Sequence, residues 1–190
     1  MAAPDSTSPP PGLVKRAVIG LLQFMVFLAL VLFVPAWSLT WWQGWLFWFV
    51  FGAACLVLSL YFLKHDPALV ARRMNVGPTA ERETQQKVIQ SIASMLMVAL
   101  FMVPAFDHLF GWSSAPLAVI FAGDALVIVG FYLMFLAMRA NGYASSIIEV
   151  GGGQTVISTG AYAVVRHPMY SGAALMFLGV PLALGSWWGL

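Results

Sequence analysis

The sequence predicts an all-α, polytopic membrane helix bundle, and three observations carry that expectation. Apolar residues make up 61% of the 190 and charged residues only 8%, where a soluble domain carries roughly 25% charged. With a mean hydropathy of +0.88, the chain lacks the polar material to cover a water-facing surface. Several apolar runs approach the ~20 residues that a bilayer-spanning helix needs. Those runs do not alternate apolar with polar residues, as the strands of a membrane β-barrel would.

Taken in order, residues 1–12 are rich in Pro and Ser and read as a disordered tail ahead of a single membrane domain, 13–190. Lys15 and Arg16 precede an apolar run from Ala17 to Val34. That run exceeds the 7–15 residues of a signal-peptide core and is read as an uncleaved anchor. Further spans are expected at Trp45–Leu63, Val88–Phe106 and Leu117–Met138. A fifth apolar stretch, Ser171–Leu184, is followed by Trp187–Leu190, which reads as the start of a sixth helix. The expectation is thus about five transmembrane helices plus the start of another, with a cap loop between the fourth and fifth spans.

Topology follows from the basic residues. With the N-terminus inside, the inner segments are 1–16, 64–87 and 139–170. They hold all nine Lys and Arg: Lys15, Arg16, Lys64, Arg72, Arg73, Arg82, Lys87, Arg139 and Arg166. The outer segments, 35–44 and 107–116, hold none. This positive-inside bias places the N-terminus and the cap loop in the cytoplasm. The net charge of +2 is then a topology signal, and no nucleic-acid partner is expected. Cys55 is alone, and no Cys/His group has metal-ligand spacing, so no metal is expected.

Other features have bland readings. Trp37, Trp41, Trp42, Trp45 and Trp48 read as an interfacial aromatic belt. Asp66-Pro67 has a side-chain acceptor at the cap and Pro at the first turn, a helix start. Ala68–Met74 is then expected on the membrane surface, with Leu69, Val70 and Met74 inserted and Arg72 and Arg73 toward headgroups. Asp124, inside the fourth span, is read as paired or snorkelling; Asp107 and His108 as solvated in an outer turn. Gln23 is read as a hydrogen-bonding group between helices, and Glu149 as a solvated loop carboxylate.

Chemistry is best marked between Asn141 and Tyr170, too polar and Gly-rich for a span and longer than a simple connection. Gly151-Gly152-Gly153 supplies a hinge. Pro168 suits the first turn of the fifth helix, whose free N–H groups and positive dipole end point at the loop. Arg166 beside that end adds a bidentate cation, so the junction suits a carboxylate or phosphate. Tyr162 and Tyr170 offer rings for a planar or cationic ligand. The competing reading makes Arg166 and His167 ordinary juxtamembrane anchors.

The pattern Gly160-x-Tyr162-x-x-x-Arg166-His167-Pro168-x-Tyr170-x-Gly172 resembles the signature of the isoprenylcysteine carboxyl methyltransferase family and its looser relatives, the phospholipid N-methyltransferases. The wider stretch from Asn141 through Gln154 and Val156 to Pro181–Ser186 is similar to bacterial members, with a weaker likeness over Asp66-Pro67…Arg72-Arg73. The resemblance implies S-adenosylmethionine-dependent methyl transfer onto a lipophilic or prenylated substrate at the cytoplasmic face of a bacterial inner membrane. By position, it implies a cofactor site formed by Gln154, Gly160, Tyr162, Arg166, His167, Pro168 and Tyr170. Arg166 and His167 would be its catalytic pair, and Gln154 stands where many relatives have His. The family also carries an Arg…Glu-Glu motif after a further helix, which these 190 residues do not reach. Either the sequence is truncated, or part of the usual substrate and cofactor site is absent. Two rivals remain: an NADPH-dependent sterol-type membrane reductase, against which the lack of an extra basic cluster near the motif argues, and a non-enzymatic membrane protein.

Overall fold

The computed structural model describes residues 11–74, 84–140 and 160–190. Within them the chain is helical: α1 Leu13–Ala36, α2 Trp42–His65, α3 Pro67–Arg73, α4 Thr84–Phe110, α5 Leu117–Ala140, α6 Ala161–Val164 and α7 Pro168–Ala183. Four of these, α1, α2, α4 and α5, are long and apolar enough to cross a membrane. Each extends a few residues past its apolar run. Hydropathy marks only the hydrocarbon segment, whereas helical hydrogen bonding continues through the interfacial residues. The result is the polytopic membrane bundle expected.

The fifth apolar stretch forms α7, of 16 residues. At 1.5 Å per residue it is about 24 Å long, short of the ~30 Å hydrocarbon core. Beyond α7, Trp187–Leu190 forms a turn, with Leu190 N donating to the Trp187 carbonyl at 3.4 Å. The Gly189 backbone lies against Pro181 and Pro104 there. The tail through Pro10 and the cap loop, with Gln154 and Glu149, lie outside the described residues.

Ring contacts fix the helix directions. Phe33 meets Trp41 across α1 and α2, while Phe47 meets Phe101 and Trp41 stacks on His108 across α2 and α4. These pairs make α2 antiparallel to both neighbours. Phe51–Phe131 and Tyr61–Phe135 make α2 and α5 parallel. The aromatic residues thus form the core that joins α1, α2, α4 and α5, with Leu28, Leu32, Val127 and Val180 filling around them.

The tightest packing is between α5 and α7, which run antiparallel with glycines at the crossing. A Cβ on Gly123 would stand 2.2 Å from the Ala183 backbone nitrogen, and one on Gly130 would stand 2.7 Å from the Gly172 carbonyl oxygen. Gly172 and Gly179 face Gly130 and Gly123 in return, also at 2.7 Å from carbonyl oxygens. The spacing is seven residues on each helix, so the same face recurs every two turns. In a membrane, where apolar side chains gain little by leaving lipid, such backbone-to-backbone contact is a principal source of helix association.

Polar residues depart from their sequence readings in several places. Asp107 is not solvated. It is 1% exposed and accepts hydrogen bonds from Ser113 N (2.7 Å), Ser113 Oγ and Ser186 Oγ. This knot ties the α4–α5 turn to the end of α7, and Trp187 N donates to Ser113 Oγ at 3.2 Å. His108 is exposed, but stacks on Trp41 at 5.0 Å and 15°. Asp124 neither pairs nor snorkels: it is 6% exposed, and both carboxyl oxygens are buried without a hydrogen-bond partner among the described residues. The tryptophans divide. Trp37, Trp42 and Trp45 are exposed as a belt requires, Trp41 is a core residue at 1%, and Trp48 donates to the Met25 carbonyl of α1 at 3.0 Å.

Candidate functional site

Helix directions bring the starts of α1, α4 and α7 and the ends of α2 and α5 to one end of the bundle. Eight of the nine basic residues are described, and all eight lie there: Lys15, Arg16, Lys64, Arg72, Arg73, Lys87, Arg139 and Arg166. The one described carboxylate at this end, Asp66, has Oδ1 engaged by the Leu69 N–H at 2.9 Å. An excess of basic residues on one face attracts anionic ligands.

Asp66 performs the capping expected of it, with Pro67 at the first helical position of α3. The rest of α3 departs from the surface-helix expectation. Leu69 is fully buried, in a cluster with Phe62 of α2 and Met138 of α5, against which Met169 of α7 also packs. Leu69 therefore inserts into protein rather than lipid. Arg72 and Arg73 are half-buried, and Arg72 Nε and Arg73 Nη1 are enclosed. Burial pulls the Arg73 guanidinium below its ordinary value. Leu69, anchored in the protein, fixes the rotation of this seven-residue helix, and Arg72 and Arg73 are only partly open to the surroundings. Sequence reasoning sent them to headgroups; the clue missed was that Leu69 lies three residues from the cap, on the helix's inward face.

The motif itself is built around two short turns. Gly160 adopts φ 62°, a left-handed conformation open to glycine at little cost, and lies beside Ala140 at the end of α5. Its carbonyl accepts from Ala163 N at 3.1 Å to start α6. The chain then turns at Val165 and Arg166, and His167 becomes the N-cap of α7 with Pro168 at its first position. Pro168 is buried, whereas Arg166 and His167 are exposed and Tyr170 is 75% exposed. His167 and Tyr170 have ring centroids 5.7 Å apart, and the His167 carbonyl accepts from Ser171 N at 3.2 Å. The His167 side chain makes no capping hydrogen bond, so among the described residues the first-turn N–H groups of α7, two residues beyond Arg166 in the chain, have no side-chain cap. Tyr162 is half-buried on α6.

Gly160, Tyr162, Arg166, His167, Pro168 and Tyr170 therefore share one junction; Gln154 lies outside the described residues. Among the described residues, no group of His, Cys, Asp and Glu could hold a metal ion. The donors present suit an anion: a fork-shaped guanidinium and a helix N-terminus side by side.

A second feature adjoins this end. An apolar cavity of about 500 Å³ lies between α2 and α5, lined by Val50, Ala54, Val57, Leu58, Tyr61, Phe131 and Phe135 among others. Tyr61, Phe135 and Leu58 also pack on the Phe62–Leu69–Met138 cluster that Met169 joins. One end of the cavity thus abuts the residues that seat the first turn of α7.

No curated protein and no solved structure matches the chain. The phospholipid methyltransferase family model matches residues 118–190, which take in α5, α6, α7 and the junction between them. Under half of the chain is covered, but that part holds the glycine-packed helix pair and all of the described motif, and its similarity to the phospholipid methyltransferases suggests a membrane methyltransferase.

Proposed function

We propose that this protein is an integral membrane S-adenosylmethionine-dependent methyltransferase acting on a carboxylate, or another nucleophile, of a lipophilic substrate at the cytoplasmic face. The observation that carries the reading is the junction at the start of α7: Arg166 and Tyr170 exposed together at a helix N-terminus that no described side chain caps, next to an apolar cavity between α2 and α5. The gathering of basic residues at this end supports a cytoplasmic site.

The residues present fit the cofactor. Arg166 and the Met169 and Tyr170 N–H groups suit its carboxylate, and the Tyr162 and Tyr170 rings suit its cationic and planar parts. When bound, S-adenosylmethionine supplies a methyl group already activated by a sulfonium. The protein's task is then to align the acceptor, and positioning carries most of the catalysis. Arg166 acts as an electrostatic clamp, and His167, set by its place at the N-cap and by Tyr170, orients the ligand. A carboxylate acceptor requires no general base. The α2–α5 cavity suits an acyl or isoprenoid chain, which keeps the acceptor headgroup at the depth of Pro168.

The isoprenylcysteine branch is the favoured finer assignment, because Gly160…Tyr162…Arg166-His167-Pro168…Tyr170 resembles its signature, while the family model that matches is that of the phospholipid methyltransferases. The test is transfer of a radiolabelled methyl group by the purified protein in lipid vesicles, with a prenylated cysteine and phosphatidylethanolamine offered separately. Base-labile label on the prenylcysteine confirms a carboxyl ester. Label on the amine lipid alone moves the assignment to the phospholipid branch, and label on neither, together with no binding of S-adenosylmethionine, refutes the proposal.

A further inference from the structure

The α1 helix carries a polar side chain where a membrane protein has least use for one. Gln23 is the eleventh of 24 residues in α1, about 9 Å along the helix from Ala17, where the apolar run begins, and so lies inside the hydrocarbon on its inner half. Its side chain is exposed on the bundle surface and makes no hydrogen bond with the described residues. At this depth a carboxamide cannot reach water, and an amide left unpaired in hydrocarbon costs several kcal/mol. Ser91 and Ser94 on α4 satisfy themselves on the Lys87 and Gln90 carbonyls of their own helix; Gln23 has no such return.

The surroundings of Gln23 have a pattern. Arg16, Gly20, Gln23, Phe27, Leu30 and Val34 are all exposed and alternate in steps of four and three, the spacing of a helix–helix seam. The stripe lies opposite Leu28 and Leu32, through which α1 packs on its own bundle. Gly20, one turn before Gln23, has no atom within 4 Å of where a Cβ would stand, so another backbone can approach closely there.

We infer that two copies of this chain associate through this face of α1, their Gln23 carboxamides hydrogen-bonded across a two-fold axis normal to the membrane. Identity of the partner follows from depth and complementarity. Copies inserted with the same topology carry Gln23 at the same height, so a two-fold axis sets each carboxamide opposite its own copy. A carboxamide is both donor and acceptor, so it complements itself. A lipid chain offers no polar group at that depth.

The experiment uses the whole protein in phospholipid vesicles at low protein-to-lipid ratio, on a Cys55→Ala background. Leu30→Cys, one heptad beyond Gln23, is oxidised and compared with Leu96→Cys, which is equally lipid-facing on α4. A covalent dimer is expected for Leu30→Cys and only collisional background for Leu96→Cys. Adding Gln23→Leu should weaken the dimer about five- to thirtyfold, with Gln23→Asn retaining most of it. Gln23→Leu makes a lipid-facing site more apolar, so a folding failure is not the expected cause; unchanged thermal unfolding checks this. Cross-linking of Leu30→Cys at the Leu96→Cys level, or cross-linking unaffected by Gln23→Leu, overturns the inference.

Discussion

Replacing Gly123 with Ala adds one methyl group, and the structure puts that group 2.2 Å from the Ala183 nitrogen, 2.7 Å from the Leu182 carbonyl carbon and 2.8 Å from the Ala183 Cα. Ordinary carbon contacts are about 3.5–4.0 Å, so α5 and α7 must separate by about 1 Å or more to restore them. Every obstructing atom is backbone, and no rotamer change relieves it. Overpacking of this kind costs about 1–3 kcal/mol or more, and separation also loosens the paired contacts at Gly130, Gly172 and Gly179. Against this stands a gain of about 1 kcal/mol, because Ala favours a helix over Gly. The net expectation is a loss of about 2 kcal/mol, from the upper part of the overpacking range. Gly52→Ala is the control. There the new methyl meets Met25 Cε at 2.6 Å and Sδ at 3.2 Å, the flexible end of a side chain that can swing aside. The helix-propensity gain then leaves Gly52→Ala neutral or slightly stabilised. Thermal unfolding of both variants in the same detergent measures the difference. A Gly123→Ala protein as stable as Gly52→Ala would refute backbone contact as the basis of the α5–α7 pairing.

The same geometry fixes three further outcomes. If Arg166 holds a cofactor carboxylate, Arg166→Ala weakens S-adenosylmethionine binding about ten- to hundredfold. Arg166→Lys recovers only part, because the fork is lost while the charge remains; calorimetry showing both variants equal to the parent would make Arg166 an anchor. Asp107→Ala strands the Ser113 N–H and the Ser186 hydroxyl, costing about 2–4 kcal/mol, and should lower the unfolding temperature more than Ser186→Ala, which removes one hydroxyl. For topology, Ser114→Cys on a Cys55→Ala background reacts with an impermeant thiol reagent from outside intact cells. Thr84→Cys does so only after permeabilisation, and the reverse pattern would place the motif outside.

Much of the fold was legible because a membrane simplifies the code. The four long helices follow from uninterrupted apolar length, and the placement of Lys15, Lys64, Arg139 and Arg166 at one end follows from charge alone. The Asp66-Pro67 start and Pro168 at the head of α7 were readable because caps and prolines act locally. Features made by two distant segments were not. Asp107 looks like a turn carboxylate until Ser186, far along the chain, is brought beside it. Trp41 and Trp48 match the belt tryptophans in composition, and only helix contacts assign one to the core and the other to the Met25 carbonyl. The glycines at 123, 130, 172 and 179 carry a seven-residue repeat, but within one apolar helix a glycine gives no sign of which neighbour it admits. The same limit hid the partial burial of Arg72 and Arg73 on a helix that Leu69 anchors to α2 and α5.

Titration calorimetry on the purified protein in detergent decides whether the α7 junction binds S-adenosylmethionine. Saturable binding of S-adenosylmethionine, or of its demethylated product, is expected, with no competition from NADPH and a loss of about tenfold or more in Arg166→Ala. Tight NADPH binding with no heat from S-adenosylmethionine would contradict the assignment.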